Sequence, residues 1–321
     1  MAAPIEWEQA RELNRARWDA LAALHGQDAC YDTEALVAGR DSLRPEENDA
    51  IAASVGQVQG LDVLHVQCHI GFDSISLARR GARVTGLDFS PASLAKAAAI
   101  AERCGVELEC VEADSTAIPP SLAGRFDLAY ATIGVLCWIA DVDAWMRSVH
   151  STLRPGGRLI LIDTHPLQDM VDTPAPLTFD MPYANDGGHL FEGEGSYAVP
   201  DAKLPAGGSI YYAHSIGEIT TAAAEARFRI DALNEHLQCS FEHRTGIPLR
   251  EDDGWWRLRA DGMPLPLLFT LRATRLAEAP VAHASTQAAG SVRARKSRVS
   301  SHARAAGSGW WNIGLSQLSN A

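Results

Sequence analysis

The spacing of apolar residues along the chain changes near residue 62. Before it, apolar side chains recur every three to four positions over residues 7–24, which predicts an amphipathic helix that ends near Gly26. A second, shorter helix is predicted at 46–55. From residue 62 onwards, apolar runs of strand length alternate with amphipathic runs of helix length. That alternation is typical of βαβ units that build a parallel sheet.

Five strands and three helices are predicted in this alternating part. The strands are 63–66, 83–87, 108–112, 128–131 and 158–162, and the helices are 74–80, 92–104 and 142–153. Residues 166–210 interrupt the pattern with Pro, Gly, Asp and aromatic residues, and they are too many for an ordinary connection. We therefore predict an aromatic-rich insertion over the carboxyl edge of the sheet. A helix at 215–226 and strands at 229–237 and 267–275 follow it.

The chain thus divides into an N-terminal helical segment at 1–60, an α/β domain at 61–275 and a tail at 276–321. The tail is rich in Ala, Ser and Arg without periodicity, so we predict that it is disordered. Its five basic residues and one acidic residue give it a charge of +4, so at a net charge of −12 residues 1–275 carry −16. A protein that binds nucleic acid needs Lys and Arg side chains to neutralise the phosphates. The acidic body therefore favours a small organic substrate over a nucleic acid.

Composition sets further expectations for this chain of 321 residues. The six cysteines form no Cys-x-x-Cys pair, so we expect neither a zinc site nor a disulfide framework, and a reducing cytoplasm fits. The apolar runs are far shorter than the ~20 residues of a membrane span, and no secretory signal is visible. We predict a cytoplasmic protein with no metal centre and no membrane partner. Whether it forms a homodimer is left open.

Two neighbouring strand ends carry the most informative residues. The first strand runs into a tight turn at 67–71, Gln-Cys-His-Ile-Gly, and then into a helix. The second strand ends in Asp88, and Ser90 with Pro91 follows as a helix start signal. An acidic residue at the end of the second strand of such a unit is placed to bind both ribose hydroxyls of a nucleoside.

The turn discriminates between nucleoside ligands. A dinucleotide requires Gly-x-Gly-x-x-Gly because its pyrophosphate approaches bare backbone. Here Gln67 and His69 occupy two of the glycine positions and only Gly71 remains. S-adenosylmethionine contains no phosphate and escapes this requirement. A third acidic strand end supports it, since Asp114 stands where the adenine amino group could donate to a carboxylate.

Residues 13–275 resemble class I S-adenosylmethionine-dependent methyltransferases, and in particular a bacterial small-molecule subgroup whose first motif is His-x-x-Cys-His-x-Gly. The matching pieces are 65–73, 81–90, 126–138 and the Leu-Arg-Pro-Gly-Gly-Arg turn at 153–158. The resemblance implies an α/β, Rossmann-like fold with a seven-strand sheet and helices on both faces. Residues 267–275 would supply its last, antiparallel strand. It also implies S-adenosyl-L-methionine as the cofactor and residues 1–60 as a helical lid.

The resemblance also implies cofactor contacts, position by position. They are Gln67, Cys68 and Gly71 for the methionine arm, Asp88 and Phe89 for ribose and adenine, Asp114 and Ser115 for adenine, and Thr132 and Ile133 for the methionine and adenosine side. Trp18 and Tyr31 resemble lid residues that close over the cofactor, although Trp18 equally suits an ordinary core position. The broader family has an acid at the position of His65. The implied contacts to the methionine arm therefore match the family pattern less closely than the implied contacts to ribose do.

The sequence offers three candidates for a general base. Methyl transfer from a sulfonium is an in-line displacement in which alignment supplies much of the rate, and a base is needed only if the acceptor must lose a proton. His165, directly after the fifth strand, is the first candidate because histidine titrates near neutrality. Tyr31 and His214 are the second choices. The alternative for His165 is a structural role at the strand end before Pro166.

The aromatic residues of the insertion favour a flat acceptor, although they would equally serve to pack a small satellite core. The resemblance implies a bacterial secondary metabolite, with indole compounds first and with N- or C-methylation ahead of O-methylation. Two other functions stay open. One is a noncatalytic protein that binds an adenosyl ligand, and the other is a nicotinamide-dependent oxidoreductase, which the bulky side chains of the turn disfavour.

Overall fold

The computed structural model describes residues 6–277 except 29, 175, 193, 194, 197, 200, 201, 205–207 and 243–245. From residue 278 onwards, the predicted tail lies outside the described residues. The helices are α1 (Trp7–Leu24), α2 (Thr33–Val37), α3 (Pro45–Val55), α4 (Phe72–Arg79), α5 (Pro91–Cys104), α6 (Val142–Thr152), α7 (Pro166–Met170) and α8 (Ile216–Glu225). Two 3₁₀ turns lie at Pro120–Leu122 and Leu136–Trp138.

The strands fall into one large sheet and three small ones. Those of the large sheet are β1 (Asp62–Val66), β2 (Arg83–Asp88), β3 (Glu109–Glu112), β4 (Phe126–Thr132), β5 (Leu153–Thr164), β10 (Phe228–His236) and β14 (Leu268–Arg275). The small sheets contain β6 (Val171–Pro174), β7 (Leu177–Phe179), β8 (Gly188–Phe191), β9 (Ser209–Tyr212), β11 (Leu249–Arg250), β12 (Trp256–Ala260) and β13 (Met263–Leu265).

The seven strands of the large sheet are ordered β10-β14-β5-β4-β1-β2-β3. Pairing is parallel from β5 through β4, β1 and β2 to β3, whereas β14 runs antiparallel to both of its neighbours, β5 and β10. The last strand is therefore the reversed one, as predicted for 267–275. Because the chain reverses its direction of strand addition after β3, the carboxyl ends of β1 and β4 flank a crevice where such folds bind ligands.

Alternate residues of the central strands face two separate cores. On one face, Leu64, Ala129 and Leu161 pack with α6 and α8 in one buried cluster. On the other, residues such as Val63 and Ile160 pack with α3 and α4 in a second cluster. This alternation places helices on both faces of the sheet, which confirms the predicted Rossmann-like α/β class.

The N-terminal segment packs beside the crevice. Helix α1 contacts α5 and β9, and α2 contacts α5. Lys96 of α5 donates to the carbonyl oxygen of Ala22 at 2.8 Å and also to that of His25, which fixes the carboxyl end of α1. This attachment brings the residues that follow α1 to the edge of the turn at 67–71.

Several elements between β5 and β14 differ from the prediction. The insertion forms the antiparallel pairs β6-β7 and β8-β9, and a three-strand sheet of β11, β12 and β13 precedes β14. Strands β12 and β13 are joined by Asp261-Gly262, both with positive φ (49° and 79°). Such an Asp-Gly pair is a recognised hairpin signal. Two aromatic residues of the insertion, Phe179 and Tyr183, are exposed rather than turned toward the crevice.

Candidate active site

The turn at 67–71 connects β1 to α4 through three residues in the left-handed region. Gln67, His69 and Gly71 have φ of 59°, 50° and 77°. A Cβ at position 71 would lie 2.8 Å from the Cβ of Ala97, so only glycine fits there. The turn is also fixed to the next strand, because the N–H of Cys68 donates to the carbonyl oxygen of Leu87 at 3.0 Å. The backbone between the two strand ends is therefore tightly constrained.

Asp88 ends β2 directly beside this turn. Its Oδ2 accepts a hydrogen bond from the N–H of His69 at 2.8 Å, and its Oδ1 accepts one from the N–H of Ser90 at 2.9 Å. The residue is buried, and burial raises the pKa of its carboxyl to about 6 although these backbone donors oppose the shift. Asp88 is therefore a buried acceptor that is held in place from both sides.

A cavity of about 180 Å³ lies against the turn and Asp88. Nine of the residues selected from the sequence line it, namely Trp18, Tyr31, Gln67, Cys68, Gly71, Asp88, Phe89, Thr132 and Ile133. They come from the N-terminal segment and from the carboxyl ends of β1, β2 and β4. The structure thus brings most of the selected residues to one place.

Asp114 and Ser115 line a smaller adjoining cavity of about 20 Å³. Gln67, Phe89 and Trp138 line both cavities, so the two are neighbours. Asp114 accepts hydrogen bonds from the N–H of Thr116 at 2.8 Å and from its hydroxyl at 2.6 Å. It also lies 3.6 Å from the guanidinium of Arg11.

The side chain of Gln67 is bound to the protein itself. Its Nε2 donates to the carbonyl oxygen of Val135 at 3.0 Å, and its Oε1 accepts from the indole of Trp145 at 2.9 Å and from the hydroxyl of Ser115 at 3.2 Å. The glutamine therefore ties the turn to the loops after β3 and β4 and to α6. Its amide is thus a structural tie between these elements.

The structure does not bring His165 to the cavity. Its Nδ1 accepts a hydrogen bond from the N–H of Leu167 at 3.1 Å, as an N-cap of α7, and its Nε2 donates to Glu235 at 2.8 Å. His214 lies against a separate space of about 10 Å³, with its Nε2 on the carbonyl oxygen of Ile139 at 2.6 Å. Of the three candidate bases, Tyr31 alone lines the main cavity.

Sequence reasoning missed a polar group at the end of the cavity between α3, α4 and β4. Glu47 accepts from the phenol of Tyr130 at 2.6 Å and from the N–H of Arg44 at 2.6 Å. Asp73 accepts from the hydroxyl of Ser42 at 2.6 Å. Burial and the nearby Asp73 carboxylate raise the pKa of Glu47 to about 8, so its carboxyl is largely protonated at neutral pH.

Two more residues complete this polar end. His65 lies on β1; its Nδ1 pairs with the hydroxyl of Ser74 at 2.8 Å, and burial lowers its pKa to about 4. The guanidinium of Arg44 lies 3.7 Å from the ring centre of Phe241 and lines the cavity. Within the described part of the chain, no ion pair engages Arg44. No spacing pattern along the chain signals these residues, because they lie on α3, β1 and α4.

Aromatic rings line the opposite wall. Trp138, which follows β4, lies edge-on to Trp18 with ring centres 5.2 Å apart, and 4.6 Å from the ring of Tyr211 on β9. Tyr211 is in turn 4.9 Å from Phe191 of the insertion. Part of the predicted aromatic cover therefore does reach the cavity, through β8 and β9.

The described residues also bear on metal binding and on membrane insertion. Among them, no group of three or more His, Cys, Asp or Glu side chains is arranged to hold a metal ion. None of the described helices combines the length and the apolar character needed to cross a bilayer.

Comparison with known proteins gives a family match and partial relatives. Residues 63–157 match the family described as a methyltransferase domain. The ubiquinone biosynthesis O-methyltransferase of Methylobacterium sp. (strain 4-46) is 35% identical over 119 residues, which cover 37% of this chain and 43% of that protein. The demethylmenaquinone methyltransferase of Thermus thermophilus is 38% identical over 87 residues, which cover 27% of this chain and 38% of that protein. The chain thus spans less than half the length of either relative.

Solved structures are also similar over most of the chain. One of them is the Burkholderia thailandensis 1,6-didemethyltoxoflavin-N1-methyltransferase with bound 1,6-didemethyltoxoflavin and S-adenosylhomocysteine. The match covers 86% of this chain and 94% of that chain with a TM-score of 0.50, and at 17% identity it bears on the fold alone. The family match runs from β1 through the turn and Asp88 into β5. Residues 63–157 of this chain are therefore similar to a methyltransferase domain over the part that contains the turn at 67–71 and Asp88.

Proposed function

We propose that this chain transfers the methyl group of S-adenosylmethionine to a small organic acceptor, and that it belongs to the subgroup with the His-x-x-Cys-His-x-Gly first motif. One observation carries the proposal. The carboxylate of Asp88 and the constrained turn at 67–71 line the same cavity, at the carboxyl ends of β1 and β2. A nucleoside ligand without phosphate suits this arrangement, because the side chains at 67 and 69 occupy the space that a pyrophosphate would need.

The residues of the cavity fit the three parts of this cofactor. Asp88 offers carboxylate oxygens to ribose hydroxyls, and Phe89 with the adjoining space beside Asp114 suits adenine. At the opposite end, the Arg44 guanidinium and the Asp73 carboxylate suit the carboxylate and the ammonium of the amino-acid end. When bound, the cofactor supplies an activated methyl group on its sulfonium.

The task left to the protein is alignment and the exclusion of water. Trp18, Trp138 and Tyr211 are buried or half-buried rings that enclose the cavity between the N-terminal segment, β4 and β9. Holding an acceptor in line with the methyl group lowers the activation free energy of the transfer by an amount on the order of 7–11 kcal/mol. A proton acceptor is needed only for acceptors that lose a proton. Tyr31 is the cavity residue that we propose to test for this role, because the raised pKa of Glu47 leaves that carboxyl without a free proton site at neutral pH.

We infer that the acceptor is a flat aromatic molecule. The three rings named above form a wall suited to a planar apolar partner. Indole-containing secondary metabolites that accept a methyl group on nitrogen or carbon are the first class to test. The curated relatives are named for O-methylation in ubiquinone biosynthesis and for demethylmenaquinone methylation. Phenolic quinone precursors are therefore the second class.

Two alternatives make different predictions. A noncatalytic adenosyl-binding protein would bind S-adenosylhomocysteine but yield no methylated product. A nicotinamide-dependent oxidoreductase would bind NADH, which the side chains of Gln67 and His69 oppose. The domains are proposed as residues 1–60 for the lid, 61–275 for catalysis and 166–210 for acceptor cover.

The test combines binding with product detection. Isothermal titration with S-adenosylmethionine, S-adenosylhomocysteine and NADH should give binding of the first two only. The chain is then incubated with methyl-deuterated S-adenosylmethionine and panels of indoles and quinone-type phenols, and products that carry the labelled methyl group are sought by mass spectrometry. Absence of adenosyl binding would reject the proposal. Binding without any labelled product from either panel or from a bacterial metabolite extract would favour the noncatalytic alternative.

A further inference from the structure

A chain of four hydrogen-bonding side chains crosses the edge of the cavity. The hydroxyl of Ser196 pairs with Nε2 of His25 at 2.8 Å, and Nδ1 of His25 pairs with Nε2 of His69 at 2.7 Å. Nδ1 of His69 then pairs with the hydroxyl of Ser93 at 3.2 Å. These residues belong to the insertion, the end of α1, the turn and the start of α5. The methyltransferase chemistry proposed above uses neither histidine.

Both imidazoles are neutral in this environment. Burial lowers the pKa of His25 to about 3, and the charge of Lys96 acts in the same direction. Burial also lowers the pKa of His69 well below its usual value, again with contributions from His25 and Lys96. A neutral imidazole has one N–H and one lone pair. The chain of bonds can therefore run in one direction with every ring nitrogen satisfied, from the Ser196 hydroxyl through both rings to Ser93.

His69 joins this chain to the ribose site. Its backbone lies at a φ of 50°, which is unfavourable for a residue with a side chain, and its N–H donates to Asp88. Its side chain is packed edge-on against Trp18 and Tyr31, with ring centres 4.9 and 5.4 Å away. Backbone strain of this kind persists only where the surroundings fix it. Besides these ring contacts, the bond to His25 gives the N-terminal segment a directional hold on this strained position.

We propose that His25 is a positioning residue for cofactor binding. Through its Nδ1 it holds the imidazole of His69, and thereby keeps the N–H of His69 aimed at Asp88 and the carboxylate of Asp88 in place for the ribose. In glycine-rich turns, glycine adopts the left-handed backbone without strain. In this chain a histidine stands at position 69, and its bond to His25 stabilises that backbone instead. The N-terminal segment thereby takes part in fixing the carboxylate that would bind the ribose.

This inference rests on the proposed function, because it requires an adenosyl ligand at Asp88. The inference assigns different roles to the two ring nitrogens of His25, and these roles can be tested separately. The Nδ1 side of His25 faces the turn and the Nε2 side faces Ser196 of the insertion. An asparagine amide reproduces the position of Nδ1, and a glutamine amide reproduces that of Nε2. His25→Asn therefore keeps the bond to His69 and removes the bond to Ser196. His25→Gln keeps the bond to Ser196 and removes the bond to His69.

The experiment measures the Kd of S-adenosylhomocysteine by isothermal titration for the full chain and for His25→Asn, His25→Gln and His25→Leu. Loss of the bond to His69 leaves a buried polar group unpaired, so we expect His25→Gln and His25→Leu to bind about tenfold more weakly. We expect His25→Asn to recover most of the affinity. Thermal unfolding of each variant establishes that it is folded at the temperature of the titration.

The possible outcomes distinguish a failure of this inference from a failure of the proposed function. Equal weakening in the asparagine and glutamine variants, or a better affinity for the glutamine variant, would overturn the role of Nδ1 while leaving the adenosyl site intact. Failure of the unmodified chain to bind would instead reject the proposed function. If the leucine variant does not fold, the asparagine and glutamine pair alone decides. His69→Gly should retain more affinity than His25→Gln, because glycine adopts the left-handed backbone without a supporting bond, and adding His25→Gln to His69→Gly should have no further effect, since the bond is already absent.

Discussion

The N–H of His69 donates to Oδ2 of Asp88 at 2.8 Å, so the turn after β1 and the end of β2 hold each other in place. The carboxylate is thereby oriented by the protein itself. Preorganised acceptors lose little freedom on binding, which favours affinity. This arrangement makes Asp88 the residue whose removal should affect ligand binding most directly.

Replacement of Asp88 should remove adenosyl binding. Hydrogen bonds that involve a charged group contribute about 1.5–3 kcal/mol, so Asp88→Asn should weaken the binding of S-adenosylhomocysteine by about 10- to 100-fold. Asp88→Ala should weaken it further because the turn also loses its anchor. Isothermal titration measures both. Asp127→Asn is the matched control, since Asp127 pairs with Arg154 at the opposite end of β4. Normal affinity in the Asp88→Ala variant would show that the ribose site lies elsewhere.

Adenosyl affinity should fall in mild acid. Burial raises the pKa of Asp88 to about 6, so below pH 6 an increasing fraction of the free protein carries a protonated carboxyl that accepts ribose hydroxyls poorly. We expect the Kd of S-adenosylhomocysteine to rise by up to about tenfold per pH unit below 6 and to be flat from 7 to 8. Titrations at each pH measure this. A Kd that is constant from pH 5 to 8 would contradict the assignment.

The effect of Asp88 on folding stability has the opposite pH dependence, and it provides the control. A raised pKa means that the folded chain holds this proton more tightly than the unfolded chain does. Asp88 by itself therefore stabilises the fold more below pH 6 than above it. Unfolding measured at the same pH values distinguishes weaker binding from loss of structure.

Gly71 should tolerate no side chain. A Cβ there would lie 2.8 Å from the Cβ of Ala97, and its φ of 77° disfavours any other residue. Gly105, at the end of α5, has a similar φ of 68° but open space around it. Gly105→Ala should thus cost about 1 kcal/mol of unfolding free energy through backbone strain alone. Gly71→Ala should cost more, as urea unfolding measures, and should also abolish adenosyl binding. Equal costs would mean that the turn has room to move.

The layered fold was predictable because its signals are local. Strand runs such as 63–66 and 83–87 alternate with helical runs, and Ser90 and Gly105 mark the ends of α5 in the sequence itself. Asp88 could be selected because its position follows from the end of one strand. The Asp261-Gly262 hairpin was also readable in principle, yet its two strands are short and partly exposed.

The remaining site residues depend on tertiary contacts that no spacing encodes. Glu47 reaches the cavity because α3 packs on the large sheet, where Tyr130 of β4 donates to it across 83 positions of sequence. The internal bonds of Gln67 and the link between His25 and His69 likewise join distant segments. His165 shows the converse case. The sequence offers two roles for it, a general base and a structural residue at the strand end before Pro166, and its hydrogen bond from Leu167 fits the second.

His165 should matter for stability more than for ligand binding. Its neutral imidazole caps α7, and burial keeps its pKa below the usual value, so Nδ1 still accepts from Leu167 at pH 7. Its bond to the half-exposed Glu235 contributes little. His165→Ala should therefore lower the unfolding free energy by about 1 kcal/mol, as urea denaturation measures, and His165→Asn should retain most of the cap. Unchanged stability in the alanine variant together with slower methyl transfer would instead restore His165 as a base.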